Sequence, residues 1–436
     1  MSTNLDRRLV TIDVSPVRDA EVIVADLITA LGDRFAGDGP ALAPVTTGPE
    51  RDQIRTMLRT DVPLERDDVA VVLPTSGSTG EPKGAMLTGT ALLHSARATL
   101  DRLGGAGRWV LALPPTRVAG LQVLVRSLVA GTAPVPVAGS FTVDAFRAAT
   151  ARLTDSSDSE GGGGGGGDGP NGELRRYTAL VPTQLVRLLD AGPEAVAALA
   201  SYDAVLVGGG ASSTALLRRA RAAGVAVMTT YGMTETCGGC VYDGRALDGV
   251  SVRIDRDGSP GLDEGDGEGS GEGTIGLVRI GGEVVFAGYR LRPDLTAAGL
   301  VDRWHVTSDL GRLRPDGRLE ILGRADDVVV SGGVNVPLQA VERAVASCPG
   351  VAEAAAVGVP DTEWGSRVVA YVVLRPGATA PPLAQVRDQV SADHPRAYAP
   401  REVVVVDALP LLPSGKIDRQ ALRSTAVDSG SSTILR

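Results

Sequence analysis

Short apolar, β-branched runs alternate with longer segments whose apolar positions recur every three to four residues. Val69–Leu73 (VAVVL) predicts a buried strand, and Thr90–Leu103 predicts a helix with one apolar face. Trp109–Leu113 predicts a strand and Gly120–Val129 a helix. Ala179–Val181 predicts a short strand, with Thr183 as the N-cap of a helix through Leu189. Ala204–Val207 predicts a strand that ends at Gly208-Gly209-Gly210, ahead of a helix from Ser213 to Ala223 and a strand over Val225–Thr229. Strand–helix alternation of this kind predicts α/β layers.

The pattern changes after about residue 274. Runs 275–280, 283–286 and 318–322 predict hairpin-rich β structure. From 328 the predicted order is strand, loop, helix (Pro337–Ser347), strand (Glu353–Val359), strand (Ser366–Leu374), helix (383–393) and strand (401–406). That is a compact α+β unit of roughly 110 residues, within the usual size range of a domain. A chain of 436 residues accommodates two to three domains.

Composition adds limits. The net charge of −9 argues against a general nucleic-acid binder. It is also concentrated: 154–173 has five acids and no bases, and 255–272 has seven acids and one base. The remainder of the chain is slightly positive and can hold anions. Residues 155–173 include seven consecutive glycines, whose ordering entropy nothing offsets. This segment and 255–272 are expected to be disordered insertions within a domain. Cys237, Cys240 and Cys348 cannot make a disulfide framework, which fits a reducing compartment. The N-terminal residues lack the apolar core of a signal peptide, and no uninterrupted apolar run reaches ~18 residues. The expectation is a soluble cytoplasmic enzyme with no membrane span and no nucleic-acid partner; self-association into a homo-oligomer is left open.

Thr75-Ser-Gly-Ser-Thr-Gly-Glu-Pro-Lys-Gly84 directly follows the Val69–Leu73 strand. Hydroxyls at Thr75, Ser76, Ser78 and Thr79, the accessible backbone of Gly77 and Gly80, and the ammonium of Lys83 suit a polyphosphate. The spacing is not that of a Walker loop, because Pro82 stands where that motif needs Gly before its Lys. Glu235 is a hard oxygen donor suited to Mg²⁺ on a nucleotide. Cys237-Gly-Gly-Cys240 has metal-ligand spacing but no second pair, and His94, His305 and His394 form no cluster.

The Thr75–Gly84 segment resembles the phosphate loop of adenylate-forming enzymes, the superfamily of acyl-CoA synthetases, peptide-synthetase adenylation domains and luciferases. Further motifs follow in that family's order. Tyr231-Gly-Met-Thr-Glu-Thr236 matches Tyr-Gly-x-Thr-Glu. Ser308-Asp309-Leu-Gly311 is similar to Thr-Gly-Asp-Leu-Gly, with Ser for Gly. Gly323-Arg324-Ala-Asp326-Asp327 and Ser331-Gly-Gly-Val-Asn-Val336 match the hinge and the loop after it, and Pro413-Ser-Gly-Lys416-Ile-Asp-Arg419 matches the terminal Lys loop.

The resemblance implies ATP, Mg²⁺ and CoA chemistry on a small-molecule carboxylate. It implies that Lys416, Glu235 and Thr234 are catalytic and that Tyr231 stacks on adenine. Gly208, Gly209 and Gly210 would wall the adenine and acyl groups, while Asp309 and Arg324 would bind the ribose. Glu235 and Thr79 would hold Mg²⁺ through ATP, and Gly332 and Gly333 would pass the CoA thiol. The implied architecture is a large domain over 1–324, a hinge at 325–326 centred on Asp326, and a small mobile α+β domain over 327–436.

No carrier domain follows residue 419, so a stand-alone CoA ligase is expected; the alternatives are another aryl- or acyl-CoA ligase, or an adenylation enzyme that acylates a carrier protein. The short start before the phosphate loop, with Val181-Pro-Thr-Gln-Leu185 and Val118-Ala-Gly-Leu-Gln-Val-Leu-Val-Arg-Ser127, resembles the o-succinylbenzoate–CoA ligases of menaquinone synthesis. Thr116-Arg117 stand where that subfamily usually has His. A dicarboxylate needs a partner for its unreacting carboxylate. Arg117, Thr183, Gln184, Arg187 and Ser212 are the candidates.

Overall fold

Residues 7–46, 49–76, 82–155, 174–255, 275–410, 417–427 and 433–435 are described by a computed structural model. The contacts divide the chain into two units. One comprises Met1–Gly210, Arg219–Val252 and Arg279–Val306; the other comprises Ala211–Arg218, Arg253–Val278 and Thr307–Arg436.

The first unit opens with β1 (Leu9–Asp13), α1 (Ala20–Ala36), β2 (Ala41–Val45), α2 (Pro49–Leu58), β3 (Val69–Ser76) and β4 (Pro82–Thr88). Their sheet runs β1-β2-β3-β4, parallel through β3. β3 and β4 are antiparallel, with Thr75 opposite Lys83 and Ser76 opposite Pro82. The segment expected to be a loop after a strand thus has both flanks in one hairpin. Helix α1 has firm ends: the Asp19 carboxylate accepts from the N–H groups of Glu21 and Val22, and Gly37 closes it at φ 90°.

Next come α3 (Gly89–Leu103), β5 (Gly107–Leu111), α4 (Val118–Ala130), β6 (Val135–Pro136), α5 (Val143–Asp155), β7 (Arg175–Leu180), α6 (Pro182–Asp190) and α7 (Pro193–Ala200). β8 (Ala204–Val207), α8 (Thr214–Ala222), β9 (Val227–Met233), β10 (Gly238–Tyr242) and β11 (Arg245–Ala246) follow. Seven strands make a sheet in the order β11-β10-β9-β8-β7-β5-β6. β6, β5, β7, β8 and β9 are parallel, and β10 and β11 run antiparallel. Leu27, Leu31, Leu92, Leu121, Leu124 and Trp109 join one core. Each such side chain contributes roughly 1.5–3 kcal/mol by leaving water.

β12 (Val250–Asp255), β13 (Gly276–Gly282), α9 (Pro293–Gly299), β14 (Leu300–Val301), β15 (Trp304–Leu313) and β16 (Leu319–Arg324) come next. The sheet order is β12-β13-β15-β14, with β16 also on β15.

In the second unit, β17 (Val328–Ser331) and β18 (Val334–Pro337) form a hairpin ahead of α10 (Leu338–Ala346). β19 (Val351–Asp361), β20 (Gly365–Leu374), α11 (Leu383–Asp393), β21 (Glu402–Val405), α12 (Arg419–Val427) and β22 (Thr433–Leu435) complete it. Alternation decides which side each strand residue packs on. Ala356, Val368, Ala370 and Val372 pack with Val341, Val345, Val386 and Val390 of α10 and α11. Ala355, Val357, Val369 and Tyr371 pack with Leu422 of α12.

The α/β character and the C-terminal α+β order agree with the sequence reading. Several expectations need correcting. Thr183 lies inside α6 rather than capping it. Pro182 starts the helix, and the Gln184 side chain reaches back to accept from the Val181 N–H at 3.0 Å. Residues 283–286 are not a strand: the Phe286 N–H donates to the Glu235 carbonyl, and the next N–H, of Ala287, to Met86. The expected insertions lie outside the described residues except for Asp155, which ends α5, and Asp255, which ends β12. Among the described residues, no helix is long and apolar enough to cross a membrane.

Arg290 is 1% exposed. Its guanidinium donates to the carbonyls of Leu58, Arg59, Val62 and Pro63 and to Glu65, and its own N–H donates to the Gly84 carbonyl. Removing this fork takes the donor from the buried Leu58 carbonyl and from several part-buried acceptors at once. Arg290→Met should therefore lower the stability of the first unit by about 3–5 kcal/mol. Arg290→Lys should recover less than half of that loss, since an ammonium cannot span the same acceptors. Urea-unfolding midpoints check both.

Candidate functional site

Many of the sequence candidates in the first unit gather beyond the carboxyl ends of its parallel strands. Arg117 follows β5 as the N-cap residue of α4; Thr183, Gln184 and Arg187 lie on α6 after β7. Gly208, Gly209 and Gly210 follow β8, and Tyr231 lies near the end of β9. In open α/β sheets, ligands bind at this edge because the loops that can vary are there. Gly208 has a local reason to be glycine: a Cβ there would stand 2.2 Å from Thr230 Oγ1.

Beyond β9 the chain makes a tight turn, Thr234–Thr236, before reversing into β10. The Thr236 hydroxyl fixes that turn: it accepts from the Met233 N–H at 3.0 Å and donates to the Gly238 carbonyl at 2.8 Å. Cys237 closes it at φ 51°, a left-handed conformation uncommon outside glycine. This places Glu235, 8% exposed, with its Oε1 accepting from the Tyr289 hydroxyl at 2.8 Å. The Lys83 ammonium lies 3.9 Å from the centroid of the same Tyr289 ring. The ring of Phe286 meets Tyr289 edge-on at 4.8 Å.

Burial, and then the Glu235 charge, push the Tyr289 phenol upward, so it stays a neutral donor. The structure thus unites two sequence candidates, Lys83 and Glu235, through a third residue that the sequence reading missed. The arrangement fits a Mg²⁺ carried on a polyphosphate: a buried carboxylate supplies oxygen, and an ammonium stands close by for phosphate charge. Gly77, Ser78, Thr79, Gly80 and Lys416, and the side chain of Ser76, lie outside the described residues. Thr75 is described, and its hydroxyl donates to the Lys83 carbonyl at 3.4 Å.

The acyl candidates separate. Gln184 is spent on the fold: besides accepting from Val181 it donates to the Ala112 carbonyl at 3.2 Å, tying α6 to the segment after β5. Arg117, Thr183 and Arg187 are exposed, and Ser212 is half-buried. Cys237 and Cys240 are fully buried; burial pushes both thiols up, Cys240 to about 12, so neither is a ready metal ligand. No cluster of metal-ligating side chains occurs among the described residues.

In the second unit, Asp309 and Arg324 are direct cross-strand partners on β15 and β16. Gly332 sits at φ 58°, and a Cβ there would meet the Trp364 ring at 2.6 Å. The room expected beside Gly332 is thus occupied by Trp364, which in turn carries the Arg401 guanidinium at 4.0 Å. Beside Gly333 nothing lies within 4 Å of a Cβ. Asp326 falls in the short turn Ala325–Asp327, and its side chain lies outside the described residues. Arg419, which ends the Lys416 motif, pairs with Glu342 at 2.9 Å and with Asp327 at 3.4 Å.

The missed residues, Tyr289 and Arg290, did carry one signal. Aromatic residues are 3% of the chain, yet Phe286 and Tyr289 fall within four positions. Such local density marks a buried aromatic contact.

Comparison with known proteins identifies the family. The profile described as AMP-binding enzyme matches residues 13–154 and 175–290. That of the AMP-binding enzyme C-terminal domain matches 340–416. The probable 2-succinylbenzoate–CoA ligase of Mycobacterium tuberculosis (strain ATCC 25618 / H37Rv) is 42% identical over 402 residues, covering 91% of this chain and 94% of that protein. The 2-succinylbenzoate–CoA ligase of Enterococcus faecalis (strain ATCC 700802 / V583) is 30% identical, covering 81% and 69%. Among solved structures, ATP-bound MatB from Rhodopseudomonas palustris superposes with a TM-score of 0.74 at 25% identity, covering 97% of this chain and 89% of that chain.

The Arg419 pair yields a pH-dependent expectation. Burial raises the Glu342 carboxyl, and Arg419 opposes that rise. A raised carboxyl favours the fold while protonated and loses that advantage as pH climbs through its titration. Without Arg419 the carboxyl rises further, so ionising it costs more. Arg419→Met should be near wild type at roughly pH 4, close to the ordinary Glu value, and about 3 kcal/mol less stable at neutral pH. Denaturation midpoints at the two pH values check it; a deficit independent of pH would remove Glu342 from the account.

Proposed function

The chain belongs to the AMP-binding enzyme family, and from that premise we propose that it is an ATP-dependent 2-succinylbenzoate–CoA ligase of menaquinone synthesis, acting in the cytoplasm. The observation that carries the chemistry is the Lys83–Tyr289–Glu235 arrangement beyond the carboxyl end of β9. The substrate reading rests on the identity to ligases of that name over most of this chain and on the Val181–Leu185 and Val118–Ser127 stretches.

In the first half-reaction a substrate carboxylate oxygen attacks the α-phosphorus of ATP, and pyrophosphate leaves. Bound Mg²⁺ would neutralise phosphate charge, with Glu235 and Thr79 as the residues that hold it through the nucleotide. Lys83 offers an ammonium to the leaving phosphates. Lys416 supplies a cation between the attacking carboxylate and the α-phosphate, where two anions are forced together. Tyr231 and the glycines of 208–210 bound the adenine, and Asp309 and Arg324 bind the ribose hydroxyls. In the second half-reaction the CoA sulfur attacks the acyl carbon, AMP leaves, and the thiol proton passes to solvent. Residues from about 327 would turn about Asp326 between the two steps, withdrawing Lys416 and bringing the Gly332–Gly333 loop to the thiol.

The second carboxylate of the substrate stays ionised and needs a partner. Arg117 and Arg187 are the remaining cationic candidates. A site built for it discriminates against benzoate and medium-chain fatty acids by roughly 2–5 kcal/mol, about 30- to several-thousand-fold.

An ATP–pyrophosphate exchange screen over carboxylic acids tests the proposal. 2-Succinylbenzoate should support exchange and, with CoA, give the CoA thioester, AMP and pyrophosphate. Equal use of benzoate would remove the substrate assignment, and exchange with no acid would remove the activity. Lys416→Ala should slow adenylation by orders of magnitude while sparing thioester formation from supplied acyl-adenylate. Equal loss in both half-reactions would overturn the domain rotation.

A further inference from the structure

Two groups of opposite charge that touch one side chain, an ammonium and a carboxylate, would ordinarily be expected to pair and neutralise each other. Here a phenol ring touches both. Tyr289 gives its hydroxyl to Glu235 Oε1 at 2.8 Å and its face to the Lys83 ammonium at 3.9 Å. Among the described residues, the Tyr289 hydroxyl is the one donor to the Glu235 side chain. We infer that Tyr289 is the positioning residue of the Mg²⁺–ATP site, holding the metal-facing carboxylate and the phosphate-facing ammonium in one arrangement without cancelling either charge. This rests on the proposed adenylation chemistry and assigns a task within it.

Two observations support the inference. First, the residue is held on several sides, its backbone by two contacts and its ring by one. The Tyr289 N–H donates to Thr296 Oγ1 at 2.8 Å, Ala85 and Tyr289 form a β-bridge, and Phe286 meets the ring edge-on. The following residue is the buried Arg290 fork, which fixes the backbone at 289 against β4. A side chain restrained in this way can impose its geometry on softer neighbours, and Lys83 is the most flexible of the three.

Second, the bond types suit a site that must admit a nucleotide. A cation over an aromatic face is attracted without being neutralised by it, so the Tyr289 ring does not compete with phosphate for the Lys83 charge. A carboxylate that accepts from one neutral donor has its orientation set while its second oxygen stays available. A direct Lys–Glu ion pair would have to break before ATP and Mg²⁺ could bind.

Tyr289→Phe and Tyr289→Leu separate the two tasks. Phe keeps the ring under Lys83 and loses only the hydroxyl; Leu loses both. Equilibrium binding of ATP to the full-length protein, without acyl substrate, is measured by calorimetry in EDTA and in excess Mg²⁺. For Tyr289→Phe, binding in EDTA should stay within about twofold of wild type. The tightening produced by Mg²⁺ should fall about tenfold, the scale of one lost orienting contact at a metal ligand. Tyr289→Leu should also weaken binding in EDTA, several-fold.

Glu235→Gln provides the control: adding Tyr289→Phe to it should cost no further Mg²⁺ response, since Tyr289 acts through that carboxylate. Thermal melts of each variant report the fold independently. An unchanged Mg²⁺ response in Tyr289→Phe overturns the inference, as does equal weakening with and without Mg²⁺, which would mean packing alone. An additive loss in the double variant also overturns it. If wild type itself binds no ATP in excess Mg²⁺, the adenylation reading fails and the inference with it. A normal wild-type response beside an unaltered Tyr289→Phe removes the inference alone.

Discussion

A guanidinium taken out of water must find acceptors for its donors or forfeit its hydration. Arg290 finds them in the turn after α2, where the carbonyls of Leu58, Arg59, Val62 and Pro63 converge with Glu65. One charge thereby links segments 232 residues apart. Tyr289 is covalently next in line, and Gly84, beside Lys83, accepts the Arg290 N–H. The position of Glu235 relative to the β3–β4 hairpin therefore follows from how a distant cation is solvated.

Much of this architecture was legible in the chain. The Val69–Leu73, Thr90–Leu103 and Ala204–Val207 patterns became β3, α3 and β8 because their periodicity matched the face they bury. The C-terminal unit followed the same logic. Ala355 and Ala356 go to opposite sides of one sheet, and so do Ala370 and Tyr371. Local chemistry was misread where the backbone found a different partner. Thr183 has a capping side chain, but Pro182, with its fixed φ and no N–H, took the first helical position. Residues 283–286 have strand composition, yet their neighbourhood sends backbone N–H groups to Glu235 and Met86.

The functional residues divide along the same line. Lys83, Glu235, Asp309 and Arg324 lie in ordered motifs and could be named from spacing and resemblance. Tyr289 lies in no motif used for that reading, and its value comes from contacts with Lys83 and Glu235, distant in sequence, which spacing cannot express. Gln184 shows the converse. As a polar side chain near the acyl region it reads as a ligand, but its two amide atoms bridge Val181 and Ala112. Buried amides are committed to such bonds far more often than not, because leaving them unpaired is costly.

The bonding of Arg419 has a bearing on inheritance and recombination. The residue closing the Lys416 motif is tied to Glu342 in α10 and to Asp327, the last residue of the turn Ala325–Asp327. Neither acid belongs to the motif, so Arg419 cannot drift independently of positions far upstream. A chimera that exchanged only the last twenty or so residues of two related ligases would bring an arginine without its acids, or acids without their arginine. The natural unit of exchange is therefore the whole span from Asp327 onward, and a crossover that respects the ion pairs falls before Asp327.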